Sequence, residues 1–273
     1  MIQLENRIAV VTGGGSGIGE ATAILLAERG ASVAVAGRGM EKLAAVVARI
    51  EAGGGRAVAV PVDVGIEDSV RAMFADVADR LGPADILIAN AALTDPAFMA
   101  RDGMVGELDV EVWNRTIDVN LRGAMLCAKH AIPQMEQAGK GAIVFSSSGK
   151  GLAGDFDHFT YGVAKAGLNN LMRNVATQYG KLGIRANCVS IGMVLSDALR
   201  ASFPPSLLRM FEEHHLTPYL GEPRHVAEVI AFLASDAAAF MTGALVPVDG
   251  GVMAHSPLYA DVLRMRRSEM QEH

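Results

Sequence analysis

Ile8-Ala9-Val10-Val11-Thr12-Gly13-Gly14-Gly15-Ser16-Gly17-Ile18-Gly19 is an apolar run that breaks into a glycine-rich turn. A helical pattern follows, with Ala21, Ile24, Leu25 and Leu26 apolar and Glu20, Glu28 and Arg29 polar. Strand, glycine turn and helix in this order make a phosphate site: glycines permit the tight turn and the close approach of a pyrophosphate, and the free N–H groups at the helix start carry partial positive charge. Placed at the first strand, the run reads as a dinucleotide site rather than a flexible loop. Further apolar runs at Val33–Ala36, Ala57–Val60, Ile86–Ala89 and Ile143–Phe145 alternate with helical patterns, and no linker-like break interrupts them. This alternation predicts an α/β fold, a single doubly wound Rossmann-type domain over residues 1–254 with about seven parallel strands and helices on both faces. Residues 255–273, richer in charge, are expected to form a C-terminal tail or peripheral helix.

A second stretch carries chemistry. Tyr161 and Lys165 lie four positions apart, one turn above each other on the same face of a helix. An ammonium beside a phenol favours the phenolate, so the spacing predicts a Tyr161 pKa below its ordinary value near ~10 and a group able to act as acid and base.

The Thr12-Gly13-x-x-x-Gly17-x-Gly19 turn and Tyr161-x-x-x-Lys165 together resemble the short-chain dehydrogenase/reductase family over roughly residues 5 to 254. Asp63-Val64, Asn90-Ala91, Asp118-Val119-Asn120-Leu121 and Asp249-Gly250-Gly251 follow in the family's order, and Ser148 stands at the family's usual offset before Tyr161, with Ser146 and Ser147 as adjacent rivals. The resemblance implies catalytic roles for Asn120, Ser148, Tyr161 and Lys165. It implies cofactor contacts from Gly13, Gly15, Ser16, Gly17, Ile18, Gly19, Arg38, Asp63, Val64, Asn90, Ala91, Tyr161, Lys165 and Ser196. Asn120 has a second reading as the N-cap of the helix that follows it. Three positions depart from the family: Ala89-Asn90-Ala91-Ala92 replaces Asn-Asn-Ala-Gly, Ile191-Gly192 replaces Pro-Gly and is expected to loosen that loop, and Ser196 replaces a frequent threonine.

By resemblance the reaction is hydride transfer between a nicotinamide cofactor and a secondary alcohol or ketone. Alternatives are a nucleotide sensor or scaffold without turnover, and an isomerase or dehydratase with a retained cofactor. Gly37 stands where NAD-dependent relatives carry an acidic residue, and the guanidinium of Arg38 follows it, so NADP(H) is favoured and NAD(H) is the alternative. The covering segment, about residues 193–220, carries Leu199, Phe203, Leu207, Leu208, Met210, Phe211 and Tyr219, and the loop from Leu93 to Leu108 is expected as the opposite wall; both imply a substrate with a hydrophobic body. Lys150, Asp155, Asp157 and His158 read as either substrate-facing or solvated.

A net charge of −6 without a basic stripe argues against a nucleic-acid partner, and no apolar run is long enough to span a membrane. A cytoplasmic protein is expected. Cys127 and Cys188 read as buried structural thiols, the scattered histidines offer no metal site, and His214-His215 reads as a solvated helix end. The resemblance implies a homotetramer, or a homodimer, with helices near residues 120–137 and 161–180 at one interface.

Overall fold

Small and β-branched residues fill the strands because a parallel sheet is covered on both faces and each strand must bury both rows of side chains. The computed structural model describes residues 3–271. In chain order, β1 (Ile8–Thr12), α1 (Gly17–Glu28), β2 (Ser32–Gly37), α2 (Met40–Ala52), β3 (Arg56–Pro61), α3 (Glu67–Arg80) and β4 (Ile86–Ala89) form the first half. There follow α4 (Pro96–Met99), α5 (Val110–Ile117), α6 (Gly123–Ala138), β5 (Gly141–Ser148), α7 (Phe159–Tyr179), β6 (Ile184–Ile191), α8 (Asp197–Ser202), α9 (Pro205–His214), α10 (Pro223–Ala234), β7 (Leu245–Val248) and α11 (Tyr259–Gln271). The strands make one seven-stranded sheet in the order β3-β2-β1-β4-β5-β6-β7, with every pair parallel. This is the doubly wound fold that the alternation of runs implied.

Alternate residues of each strand face opposite cores. Val10, Leu87, Ile143 and Phe145 pack with Phe74 of α3, Met135 of α6 and Leu168 and Met172 of α7. Ala9, Val11, Ile88 and Val144 pack with Leu25 and Leu26 of α1, Leu43 of α2 and Ile230 of α10. Each such side chain contributes about 1.5–3 kcal/mol of burial, so a slip of one residue in any central strand would exchange the two cores and is strongly disfavoured.

The strand order reverses between β1 and β4, and ligands of such sheets bind outside the C-terminal strand ends at that point. The glycine turn leaves β1 at this point, Asn90 and Ala91 leave β4, and Ser148 ends β5 beside them. The C-terminal helix α11 lies against α9, with Ala260 buried and Arg264 3.9 Å from Glu213.

Candidate active site

At the glycine turn, Gly13 and Gly17 have φ of 67° and 54°, the left-handed region that favours glycine. A Cβ on Gly19 would lie 2.1 Å from the Gly13 carbonyl oxygen, so the first turn of α1 packs on the loop only because this side chain is absent. A Cβ on Gly17 would meet nothing within 4 Å, so the turn is open on that side. Ser16 occupies the N-cap of α1 without a side-chain capping bond, leaving the first N–H groups of the helix for an anion. Asn90 braces the turn from behind: its Nδ2 donates to the Thr12 carbonyl at 3.2 Å and its Oδ1 accepts from Ser146 Oγ at 3.1 Å. The Ala91 N–H donates to Thr12 Oγ1 at 3.1 Å. These contacts make a rigid cradle that suits the pyrophosphate of a dinucleotide, the group that the glycine pattern implies.

Arg38 follows β2 beside this cradle, exposed and without an intramolecular partner among the described residues. Asp63, after β3, is half-buried; its Oδ1 accepts from the Gly65 N–H at 2.9 Å and its Oδ2 lies 3.5 Å from Arg115. Val64 is buried beneath Gly123.

The three serines at the end of β5 are sorted by their partners. Ser147 is buried and donates to Asn169 Oδ1 at 2.6 Å, and Ser146 is engaged with Asn90. Ser148 alone is half-buried at the strand end, where its hydroxyl accepts from the Lys150 N–H at 3.3 Å and lies close enough to Tyr161 to draw its phenol pKa downward. Tyr161, on the first turn of α7, is half-buried. Lys165 is 3% exposed one turn later, its Nζ 5.3 Å from the centre of the Tyr161 ring. Burial pushes the phenol up to about 12 against the pull of the Ser148 hydroxyl, and burial draws the ammonium down to about 8. The sequence reading had the phenol lowered by its neighbour. The structure corrects the direction: burial of the phenol dominates, and Lys165 Nζ lies over the ring and donates to the Ser146 carbonyl at 2.7 Å.

Asn120 is 1% exposed and sits inside a π-helical turn, Asp118–Arg122, that joins α5 to α6. It is therefore no N-cap. Its Oδ1 accepts from the Leu93 N–H at 2.7 Å, and its Nδ2 is buried without a partner. A widened turn with an unmet donor is a frequent mark of a functional position. Ser196 caps α8, accepting from the Leu199 N–H at 3.3 Å.

Both segments expected to cover a substrate carry exposed apolar side chains. In the covering segment the rings of Phe203 and Phe211 lie 6.3 Å apart, and Met210, Leu216 and Tyr219 are exposed. In the loop after β4, Met104 and Val105 are exposed. Met193, Leu216, Tyr219 and Gly221 line, with His225 and Asp249, a cavity of about 490 Å³, but Asn120, Ser148, Tyr161 and Lys165 do not line it. Lys150 pairs with Asp155 and Asp157, so this polar set is a partly exposed ion cluster.

A sequence model described as Enoyl-(Acyl carrier protein) reductase matches residues 13–253. The chain is 44% identical to cis-4-hydroxycyclohexanecarboxylate dehydrogenase of Sinomonas cyclohexanicum, over 91% of this chain and 97% of that protein. It is 41% identical to a probable short-chain type dehydrogenase/reductase of Bradyrhizobium diazoefficiens, over 96% and 92%. The chain belongs to the short-chain dehydrogenase/reductase family. Among solved structures, a 7α-hydroxysteroid dehydrogenase complexed with NADH and 7-oxoglycochenodeoxycholic acid superposes with a TM-score of 0.85 at 30% identity, covering 91% of this chain and 95% of that one. The family is one of oxidoreductases that use nicotinamide cofactors, and the cradle described above fits such a group.

As a member of this family, the chain shows several features that the residue pattern did not disclose. Asp102 is 1% exposed and bonded to the start of α7, and nothing in its own neighbourhood marks it. The only signal was indirect: His158, before Phe159, is a poor capping residue. The Ile191-Gly192 loop is not loose, since Gly192 N–H donates to the Val248 carbonyl at 3.1 Å, Leu195 N–H to Gly221 at 2.8 Å, and a Cβ on Gly192 would lie 2.7 Å from Asp249 Cα. His215 is buried, not solvated, with Nδ1 2.5 Å from the Phe211 carbonyl oxygen. Both cysteines are buried, and burial pushes each thiol up to about 12. Among the described residues no cluster is suited to a metal ion, and no helix is long and apolar enough to cross a membrane.

Proposed function

We propose that this chain interconverts a secondary alcohol and a ketone with a hydrophobic body, with Tyr161 as the acid and base. The observation that carries the reading is the convergence of Ser148 at the C-terminal edge of the sheet with Tyr161 on the first turn of α7 and Lys165 buried one turn on, its Nζ 5.3 Å from the centre of the Tyr161 ring. When bound, a nicotinamide supplies the hydride. The proton on oxygen must come from the chain. A phenol held near 12 is fully protonated at neutral pH and ready to donate to a carbonyl oxygen during reduction. Ser148 holds that oxygen through its hydroxyl and stabilises the charge that grows there. Lys165, supported by the Ser146 carbonyl, would hold the nicotinamide ribose, and the free Nδ2 of Asn120 would order a water on the path by which protons reach solvent.

The cradle at Gly13–Gly19 would hold the pyrophosphate, Asp63 and Val64 the adenine side, and Asn90, Ala91 and Ser196 the nicotinamide side. The cofactor of our reading is NADP(H), because the end of β2 offers the unpartnered guanidinium of Arg38 and no carboxylate. Its charge-assisted bonds, at ~1.5–3 kcal/mol, make Arg38→Ala roughly ten- to a hundred-fold weaker for NADPH. The exposed apolar side chains of both walls and the substrate of the Sinomonas relative favour a ring-bearing alcohol. A homotetramer through α6 and α7 is part of the reading, supported by the exposed Met125 and Val163; sedimentation as a monomer would refute it.

The test is a panel of 4-hydroxycyclohexanecarboxylate, a 7-hydroxy bile acid, simple acyclic secondary alcohols and the matching ketones, with NADP(H) and NAD(H) in parallel. Turnover of a cyclic substrate with NADP(H) is expected. Preference for NAD(H) would overturn the cofactor assignment, and cofactor binding with no turnover of any substrate would overturn the function.

A further inference from the structure

Helix α7 begins without a cap of its own. His158 stands at the N-cap with φ 56°, and its side chain makes no capping bond. The first N–H groups of a helix have no partner within it. Here they are met from far away in the chain. Asp102 Oδ1 accepts from the Thr160 N–H at 2.8 Å and Oδ2 from the Tyr161 N–H at 2.9 Å, while the Asp102 carbonyl accepts from the His158 N–H at 2.6 Å. The carboxylate is 1% exposed and has no ion-pair partner among the described residues, so the helix start alone compensates the burial of its charge.

The location of this bond matters more than its strength. A serine or aspartate at position 158 would cap the helix equally well. The cap comes instead from the middle of the loop between Leu93 and Leu108, and the start of that loop is held by Asn120 Oδ1 on the Leu93 N–H at 2.7 Å. The loop is thus fastened at its start and its middle to elements that carry the candidate catalytic groups, and one fastening is the main-chain N–H of Tyr161 itself.

We propose that Asp102 is a positioning residue: it sets Tyr161 against Ser148 and makes that placement depend on the seating of the loop after β4. The proposal rests on the reading of Tyr161 as the acid and base. Asp102→Asn retains one acceptor and turns an NH₂ toward the second N–H. Displacements of about 1 Å at a reacting group cost on the order of a hundred-fold in rate, so kcat is expected to fall at least about ten-fold while NADPH affinity stays within about two-fold. Asp95→Ala serves as the loop control, since Asp95 caps α4 in the same loop by accepting from the Phe98 N–H at 2.9 Å and does not touch α7. It is expected to raise the substrate KM and leave kcat within about two-fold.

A readout independent of turnover is amide hydrogen exchange. The Thr160 and Tyr161 amides are expected to be protected in the wild type and to exchange at least about ten-fold faster in Asp102→Asn, with Leu168–Val175 unchanged. If the wild type turns over nothing, the proposed function has failed, and exchange still judges the clamp. Faster exchange with unchanged kcat would reduce Asp102 to a plain cap and overturn the proposal. An equal loss of kcat in Asp95→Ala with the Thr160 and Tyr161 amides still protected would do the same, because loop order without the clamp would then suffice. If Asp102→Asn does not fold, Asp102→Glu, which keeps the charge and displaces it by one methylene, is expected to fold and show the same kcat loss; wild-type kcat in that variant would overturn the proposal.

Discussion

Replacing Lys165 by methionine should make the protein more stable at pH 7 while removing its activity. Lys165 is 3% exposed, and burial draws its ammonium from the ordinary 10.5 down to about 8. At ~1.36 kcal/mol per pH unit, that gap corresponds to about 3 kcal/mol. Between about pH 8 and 10.5 the folded chain binds fewer protons than the unfolded chain, so stability rises with pH across that window and the cost is almost wholly present at pH 7. Methionine fills a similar volume without the charge. It also leaves the Ser146 carbonyl without the donor now 2.7 Å away, a loss of about 1 kcal/mol. The net expectation at pH 7 is a gain of about 2 kcal/mol, or roughly 4–8 °C in Tm for a chain of this size. The gain should shrink as pH rises and turn into a small loss near pH 10.5. Tyr161, pushed up to about 12, is common to both proteins and cancels. Urea unfolding of the cofactor-free proteins at pH 7 and pH 10, followed by circular dichroism, measures the difference. Equal or lower stability of Lys165→Met at pH 7, or a difference that does not change with pH, would refute the reasoning.

Other outcomes are expected from the same geometry. Gly19→Ala must shift the loop, because its Cβ would lie 2.1 Å from the Gly13 carbonyl oxygen; it should lose about 1–3 kcal/mol of stability and at least about ten-fold in cofactor affinity, whereas Gly39→Ala, whose Cβ meets nothing within 4 Å, should change neither. Calorimetry and cofactor titration separate the two. Alcohol oxidation begins from a deprotonated phenol, and below a pKa of about 12 that fraction grows about ten-fold per pH unit, so oxidation should rise from pH 7 to pH 9 while ketone reduction does not. A flat oxidation profile with chemistry rate-limiting would count against a titrating phenol. Arg38→Ala should weaken NADPH roughly ten- to a hundred-fold and leave NADH within about two-fold, as read by fluorescence titration.

The strands were legible because each is a run apolar on both faces, a pattern that only a covered parallel sheet satisfies, and β1, β2, β4 and β5 lie where their runs stand in the sequence. Ser148 could be chosen from three adjacent serines by its offset from Tyr161, and the structure explains the choice: Ser146 and Ser147 are spent on Asn90 and Asn169. The direction of the Tyr161 shift was not legible. Spacing brings Lys165 beneath the ring but does not show that its ammonium is bound to the Ser146 carbonyl, or how deeply both groups are buried. Asn120 looked like a helix cap because Asp118-Val119-Asn120 precedes a helical run, and only the unbroken passage of α5 through the π-turn into α6 shows otherwise. Asp102 was invisible because its partners lie 58 and 59 residues away. Local patterns report periodicity and turns; bonds between distant loops exist only once the sheet has brought them together.

The most direct test of the account is the turnover of Tyr161→Phe beside the wild type, with the best alcohol or ketone of the panel and the cofactor it uses. The variant keeps the ring and its packing and loses only the hydroxyl. It should fold, bind the cofactor as the wild type does, and lose at least ~10²-fold in kcat. A variant that turns over within about two-fold of the wild type would contradict the claim that Tyr161 carries the proton.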